Sequence, residues 1–176
     1  MIVIEMARLM ALDVGDARIG VAVCDPTGFL ASPYTTIRVS RDEQQNWDTI
    51  QRLLEETGAE GIVIGLPISL DGQIHAQGQK VQAFAERLLP HISVPLTFWD
   101  ERLSTAEAER LLAHVSPGQG TRGRHQRQAG TNRAQSKRRR RGHEIDALAA
   151  TVILQEYLSH YPHGLAPGNT TEEKSV

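Results

Sequence analysis

The chain is 176 residues long, 40% hydrophobic and 5% aromatic, with 21 acidic residues against 19 lysines and arginines and a single cysteine. That length suits one domain with a sizeable core, and no segment repeats at the roughly 20–50-residue period of a solenoid or propeller. One cysteine excludes a disulfide framework, and no apolar run approaches the roughly 18 residues of a membrane span. The opening residues are broken by Glu5 and Arg8 and carry no cleavage signal, so a cytoplasmic protein is expected.

The net charge of −2 conceals a strong asymmetry. No acid lies between Glu109 and Glu144, while Arg122, Arg124, Arg127, Arg133, Lys137, Arg138, Arg139, Arg140 and Arg141 supply nine of the 19 basic residues. A basic segment is displayed on an acidic body, and polyanions are its expected partners.

Residues 1–7 read as a short extension. Residues 9–14 and 18–24 are apolar strands joined by a tight turn at Gly15, Asp16 and Ala17, and Cys24 is expected to be a buried, reduced thiol. Asp25-Pro26-Thr27-Gly28 signals a second turn, followed by a third strand over 29–38 that is interrupted at Pro33. The period then changes: Trp47, Ile50, Leu53 and Leu54 fall on one face of a helix over 42–57, closed by Gly58. The unbroken apolar run 61–65 suits a strand buried on both faces. After a polar loop containing Asp71-Gly72, Val81, Phe84, Ala85 and Leu88 mark a second helix, and 96–99 a further strand. Strand, helix, strand, helix, strand is a parallel crossover pattern. The expected architecture is therefore an α/β mixed sheet, an antiparallel three-strand meander followed by parallel crossover strands, with flanking helices.

Ser104-Thr105-Ala106-Glu107 is a capping box that opens a helix ending near His114. Residues 115–143 contain glycine, glutamine and arginine but hardly any apolar side chain, and are expected to form a flexible basic loop. A last helix over 144–160 places Ile145, Leu148, Ala149, Val152 and Ile153 on its buried face. Residues 1–160 thus form one domain, and 161–176 read as a disordered tail.

Asp13 stands out because aspartate is depleted in strands and a carboxylate there loses water at a cost of several kcal/mol unless something compensates it. A plain hairpin, with Asp13 capping its own turn, is the simplest account. Other carboxylates lie at strand and helix ends, however. Asp100 and Glu101 follow the last strand directly, and Asp146 lies in the first turn of the last helix, at the edge of its apolar stripe. Small neighbours Ala147, Ala149 and Ala150 would let that helix approach the sheet. The carboxyl ends of neighbouring parallel strands form one rim, where ligands of open α/β sheets bind. Acids gathered there repel each other unless a cation or protons intervene, and oxygen-only ligation points to Mg²⁺ or Mn²⁺ over Zn²⁺. A solvated strand end for Asp100-Glu101 and a helix-dipole partner for Asp146 are the separate alternatives.

These residues carry a family likeness. Ala11-Leu12-Asp13-Val14-Gly15 with Arg18-Ile19-Gly20-Val21-Ala22, Val63-Ile64-Gly65-Leu66-Pro67 with Asp71-Gly72, Asp100-Glu101-Arg102-Leu103-Ser104-Thr105 and Ile145-Asp146-Ala147-Leu148-Ala149-Ala150 stand in an order that resembles the YqgF/RuvX family of nucleases. That family is assigned to pre-16S ribosomal RNA processing or to Holliday junction resolution. The resemblance implies an RNase H-like fold and metal-binding catalytic acids at Asp13, Glu101 and Asp146, with Asp100 and Arg102 in support. It departs at Ser69 and Leu70, where Asn-Met is usual, and in the long arginine-rich stretch before Asp146.

Arg18 is expected to join the basic segment in binding nucleic acid, and Arg102 either holds a phosphate or pairs with Asp100. Gly20, in mid-strand, marks close approach of another backbone, a nucleic-acid strand or a packed helix. Trp99 reads as core, and His75 and His143 as exposed bystanders. The preferred function is metal-dependent cleavage of structured RNA at the 5′ end of pre-16S rRNA, by a monomer or weak homodimer. The same chemistry on branched DNA, a resolvase, is the nearest alternative. An actin-like phosphate loop at Asp13-Val14-Gly15 and a non-catalytic RNA-binding module are more distant ones.

Overall fold

The computed structural model describes residues 7–69, 71–101 and 131–161, with side chains of the last span described from 145 onward. Its strands are β1 (Leu9–Val14), β2 (Arg18–Cys24), β3 (Ala31–Arg38), β4 (Gly61–Leu66) and β5 (Leu96–Asp100); its helices are α1 (Glu43–Thr57), α2 (Ala76–Leu88) and α3 (Thr131–His160). They form one sheet in the order β3-β2-β1-β4-β5. β1, β2 and β3 are antiparallel neighbours, and β4 runs parallel to both β1 and β5, so the meander and the crossover strands share β1 as their seam.

Side-chain alternation divides the core between the two faces of the sheet. Met10, Leu12, Ile19, Val21, Ile62 and Ile64 face α1 and α2, where Trp47, Ile50, Phe84 and Leu88 cover them. Leu9, Ala11, Ala22, Val63 and Trp99 face α3, against Ala150, Ile153, Leu154 and Tyr157. α1 is held by its ends: the Asp42 side chain accepts from the Gln44 amide, and Gly58 takes the left-handed conformation that lets its N–H reach the Leu54 carbonyl. Cys24 is a buried free thiol that accepts a hydrogen bond from the Leu9 amide at 3.0 Å.

The starts of two elements differ from the sequence reading. β3 starts at Ala31 because Asp25 Oδ1 accepts from the amides of both Phe29 and Leu30, each at 2.9 Å, and pulls them into the turn. The interruption expected at Pro33 is present as an irregularity within the strand. Pro33 lies on the sheet edge, where its missing N–H costs nothing, beside a bulge at which the register passes from Val21↔Thr35 to Ala22↔Pro33. α3 starts at Thr131, inside the stretch read as a loop. A lack of apolar residues reports only a lack of burial, whereas Arg, Lys, Gln and Ala favour helix intrinsically. The helix expected after Ser104, the rest of the 115–143 loop and the tail beyond 161 lie outside the described residues.

The buried face of α3 also differs. Ile145 is exposed, and the side chains packed on the sheet are Ala147, Ala150, Ile153, Leu154, Tyr157 and Leu158. Small residues decide this rotation. A Cβ on Gly20 would run into the Asp146 carbonyl and sit 3.1 Å from the Ala147 nitrogen, so the helix backbone rests directly on β2. Of the two approaches open to Gly20, the structure shows the helix. Among the described residues no helix is long and apolar enough to cross a membrane.

Gly20→Ala should therefore destabilise the fold by about 1–3 kcal/mol through overpacking, read as a lower Tm, and should reduce activity in the protein that remains folded because Asp146 is displaced with the helix. An unchanged Tm would show that the contact is not as tight as described.

Candidate active site

Three acids reach the α3 face of the sheet by three routes. Asp13 is opposite Gly20 in the β1–β2 register and shares the alternation of Leu9 and Ala11. Glu101 is one residue past β5 and shares the alternation of Trp99. Asp146 hangs from α3 above Gly20. Asp100, with the parity of Leu96 and Phe98, belongs to the opposite face. Alternation thus separates two adjacent acids that the sequence alone left together. Gly65 leaves room for Glu101: a Cβ there would run into Glu101 Oε1 and the Ile153 side chain.

Asp13 is the common member of this set. Burial, and secondarily the charge of Asp146, raises its pKa above the ordinary carboxylate value. Burial also pushes Glu101 up to about 7, with smaller contributions from Asp13, Glu156 and Asp100. The turn amide of Gly15 donates to the Arg18 carbonyl at 2.9 Å, closing the hairpin without the Asp13 carboxylate. The Gly15 amide is thus engaged within the turn and is not the group that compensates Asp13. The dipole account of Asp146 fails, because α3 starts fifteen residues upstream and the macrodipole acts within the first turn.

Arg18 brings a cation to these acids, its Nε 2.6 Å from Asp146 Oδ2. That oxygen is sealed from solvent and has no aligned hydrogen bond, so the contact is an ion pair of poor geometry. Glu156 is a residue the sequence reading missed. It is buried on α3 and accepts from Trp99 Nε1 at 3.4 Å, and a glutamate set among the buried positions Ile153, Leu154 and Tyr157 was the signal for it. Trp99 itself is core, packed edge-on to Tyr157. His75 is exposed on the α2 end, 3.6 Å from Asp71.

Residues 7–160 match the model of the RuvX Holliday junction resolvase family. The chain belongs to this family of nucleases. It is 40% identical over 157 residues to the "Putative pre-16S rRNA nuclease" of Desulforudis audaxviator, covering 89% of this chain and 97% of that one. A protein of the same description from Roseiflexus is 39% identical over 155 residues, covering 88% and 95%. Among solved structures, Thermus thermophilus RuvC in complex with a Holliday junction substrate superposes with a TM-score of 0.52 at 10% identity, covering 89% of this chain and 97% of RuvC. That likeness shows the fold, which is RNase H-like.

The family implies a divalent metal, and the donor set fits one. All the candidate donors are carboxylate oxygens, the pKa values of Asp13 and Glu101 are both raised, and one oxygen of Asp146 lacks an aligned partner. Among the described residues no three acid, histidine or cysteine side chains are gathered tightly enough to enclose one ion. Asp13 instead lies opposite Gly20, on which the Asp146 backbone rests, and its pKa feels the charge of Asp146 as that of Glu101 feels the charge of Asp13. Arg102, Arg122, Arg124 and Arg127 lie outside the described residues. Arg133, Lys137, Arg138, Arg139, Arg140 and Arg141 are carried by the first half of α3, which leads into Asp146.

A carboxyl group with a raised folded-state pKa binds its proton more tightly in the folded than in the unfolded chain, so stability is fully present at low pH and is lost as pH rises through the folded value. For Glu101 that window runs from the ordinary 4.5 to about 7. Metal-free protein should melt at a lower temperature at pH 8 than at pH 5, and Glu101→Gln should flatten the profile. A slope identical in the variant would assign the pH dependence to other groups.

Proposed function

We propose that the chain is a divalent-metal-dependent nuclease that hydrolyses phosphodiesters of structured RNA in the cytoplasm, acting at the 5′ end of pre-16S rRNA. The observation that carries this reading is the coupling of Asp13 by charge to Asp146 and Glu101, beneath a helix whose upstream half is basic. Asp13, Glu101 and Asp146 would hold Mg²⁺ or Mn²⁺. Bound there, the metal supplies an activated water and a charge that stabilises the leaving oxygen.

The protein's own contribution is positional. Asp13 is fixed by the β1 register, Asp146 by the seating of α3 on Gly20, and Glu101 by the end of β5 against Gly65. Burial keeps the acids poorly hydrated, which strengthens their interaction with a cation and with the charge that develops on a phosphate. The basic residues of α3 attract the polyanion towards that rim, and phosphate contacts of this kind position substrate without reading its sequence.

The family description also names Holliday junctions, and the same acids would cut branched DNA. A resolvase must make two symmetric cuts, so a stable dimer in solution with paired nicking would favour DNA. The deciding experiment is the identity of the nucleic acid that co-purifies from cells with Asp13→Asn protein: 5′-extended 16S precursor supports this proposal, and junction DNA overturns its substrate.

Asp13→Asn and Asp146→Asn should each reduce cleavage by more than the roughly 10–100-fold that removal of an outer-shell partner costs a metal site, with the metal-free Tm unchanged or raised by the relief of repulsion. Cleavage at the wild-type rate by either purified variant would remove that residue from the site. Replacing the five residues from Lys137 to Arg141 by Gln, which retains helix propensity, should weaken binding to all sequences alike. It should also flatten log affinity against log salt by about 0.7–0.9 for each phosphate that the variant no longer neutralises. An unchanged salt slope would make this half of α3 a spacer.

A further inference from the structure

The contact between Arg18 and Asp146 is an odd one for a resting ion pair. It is short, yet Nε approaches an oxygen that has no aligned hydrogen bond, and the Arg18 side chain stays 44% exposed while that of Asp146 is 21% exposed. A second feature stands beside it. In the β2–β3 register Arg18 is directly opposite Arg38, and alternation from Gly20 and Ala22 on one strand and Ile37 on the other places both arginines on the α3 face. Like charges directly opposite on neighbouring strands are destabilising. Two guanidinium groups at the head of the meander, one of them against Asp146, suit a phosphate, for whose bidentate recognition arginine is better fitted than lysine.

Resting on the metal-nuclease reading, we propose that Arg18 and Arg38 form the phosphate-binding site of the catalytic rim, and that Arg18 is held in reserve on Asp146 until a divalent cation takes that carboxylate. The cation and the guanidinium are alternatives for one oxygen. When the cation binds, Arg18 is released from its partner, swings free at the exposed strand end and joins Arg38 on a phosphate of the nucleic-acid backbone. Metal occupancy and substrate grip are thereby coupled through one side chain, and the coupling is reciprocal, so nucleic acid that holds Arg18 also clears Asp146 for the metal. Arg18 is in this sense a ligand of the substrate and a competitor of the metal.

The test separates this coupling from the metal reading itself. With a fluorescein-labelled RNA hairpin in chelator, Asp146→Ala should raise affinity about fivefold or more by freeing Arg18. The gain should disappear in the Arg18→Gln, Asp146→Ala double variant and shrink in Arg38→Gln, Asp146→Ala. A gain of equal size with and without Arg18 would be mere relief of repulsion and would overturn the proposal. Calorimetric titration with Mn²⁺ alone should show tighter binding to Arg18→Gln than to wild type, and equal binding would overturn the competition. If Mn²⁺ binds neither protein, the metal-nuclease reading falls, while the RNA cycle in chelator still judges Arg18. Thermal melts confirm folding of each variant, and Arg18→Lys, which keeps the charge without the fork, should recover only part of the gain.

Discussion

Repulsion and desolvation at Asp13 are the constraint from which the rest of this structure follows. A carboxylate on the sheet face covered by a helix loses hydration, and here an acid on each side adds like charge to that loss. The surrounding residues limit the cost without removing it. Gly20 brings α3 down so that Asp146 is close, Gly65 leaves room for Glu101, and Arg18 covers one oxygen of Asp146. What remains is a site with a standing deficit of positive charge, and that deficit gives it an affinity for cations.

The two faces of the sheet divide the work. Large side chains, among them Trp47, Ile50, Phe84 and Leu88, fill the interface with α1 and α2, and of the candidate acids on described residues only Asp100 has the parity of that face. On the α3 face the contacts near the rim are glycine and alanine, which contribute little apolar area per residue but allow a close backbone approach. Packing there is heavy only further along, where Leu154, Tyr157 and Trp99 meet. The fold is anchored at one end of α3 and spaced at the other, so the charged site is held in place by residues that are not part of it.

Much of this was legible in the sequence, because strand alternation and apolar runs report burial directly. The unbroken 61–65 run foretold a strand buried on both faces. The family motifs singled out the three acids. What stayed hidden depended on contacts that local pattern does not encode. The start of β3 is set by one Asp25 side chain, the length of α3 by intrinsic propensity in a stretch with no buried face, and the outward turn of Ile145 by a glycine 125 residues earlier. The Arg18–Asp146 pair joins residues 128 positions apart, and no local pattern links one to the other.

The length of α3 has a metrical consequence. A loop would leave the distance between its arginines and the acids undefined, whereas a continuous helix fixes it at about 1.5 Å per residue. Arg141 therefore stands about 7 Å, and Arg133 about 20 Å, upstream of Asp146 along the axis. The seat of that axis is the contact between the Asp146 backbone and Gly20. Basic positions and acid are graduations on one ruler, and a polyanion lying along the ruler meets the acids at an offset set by covalent geometry and not by chance encounter.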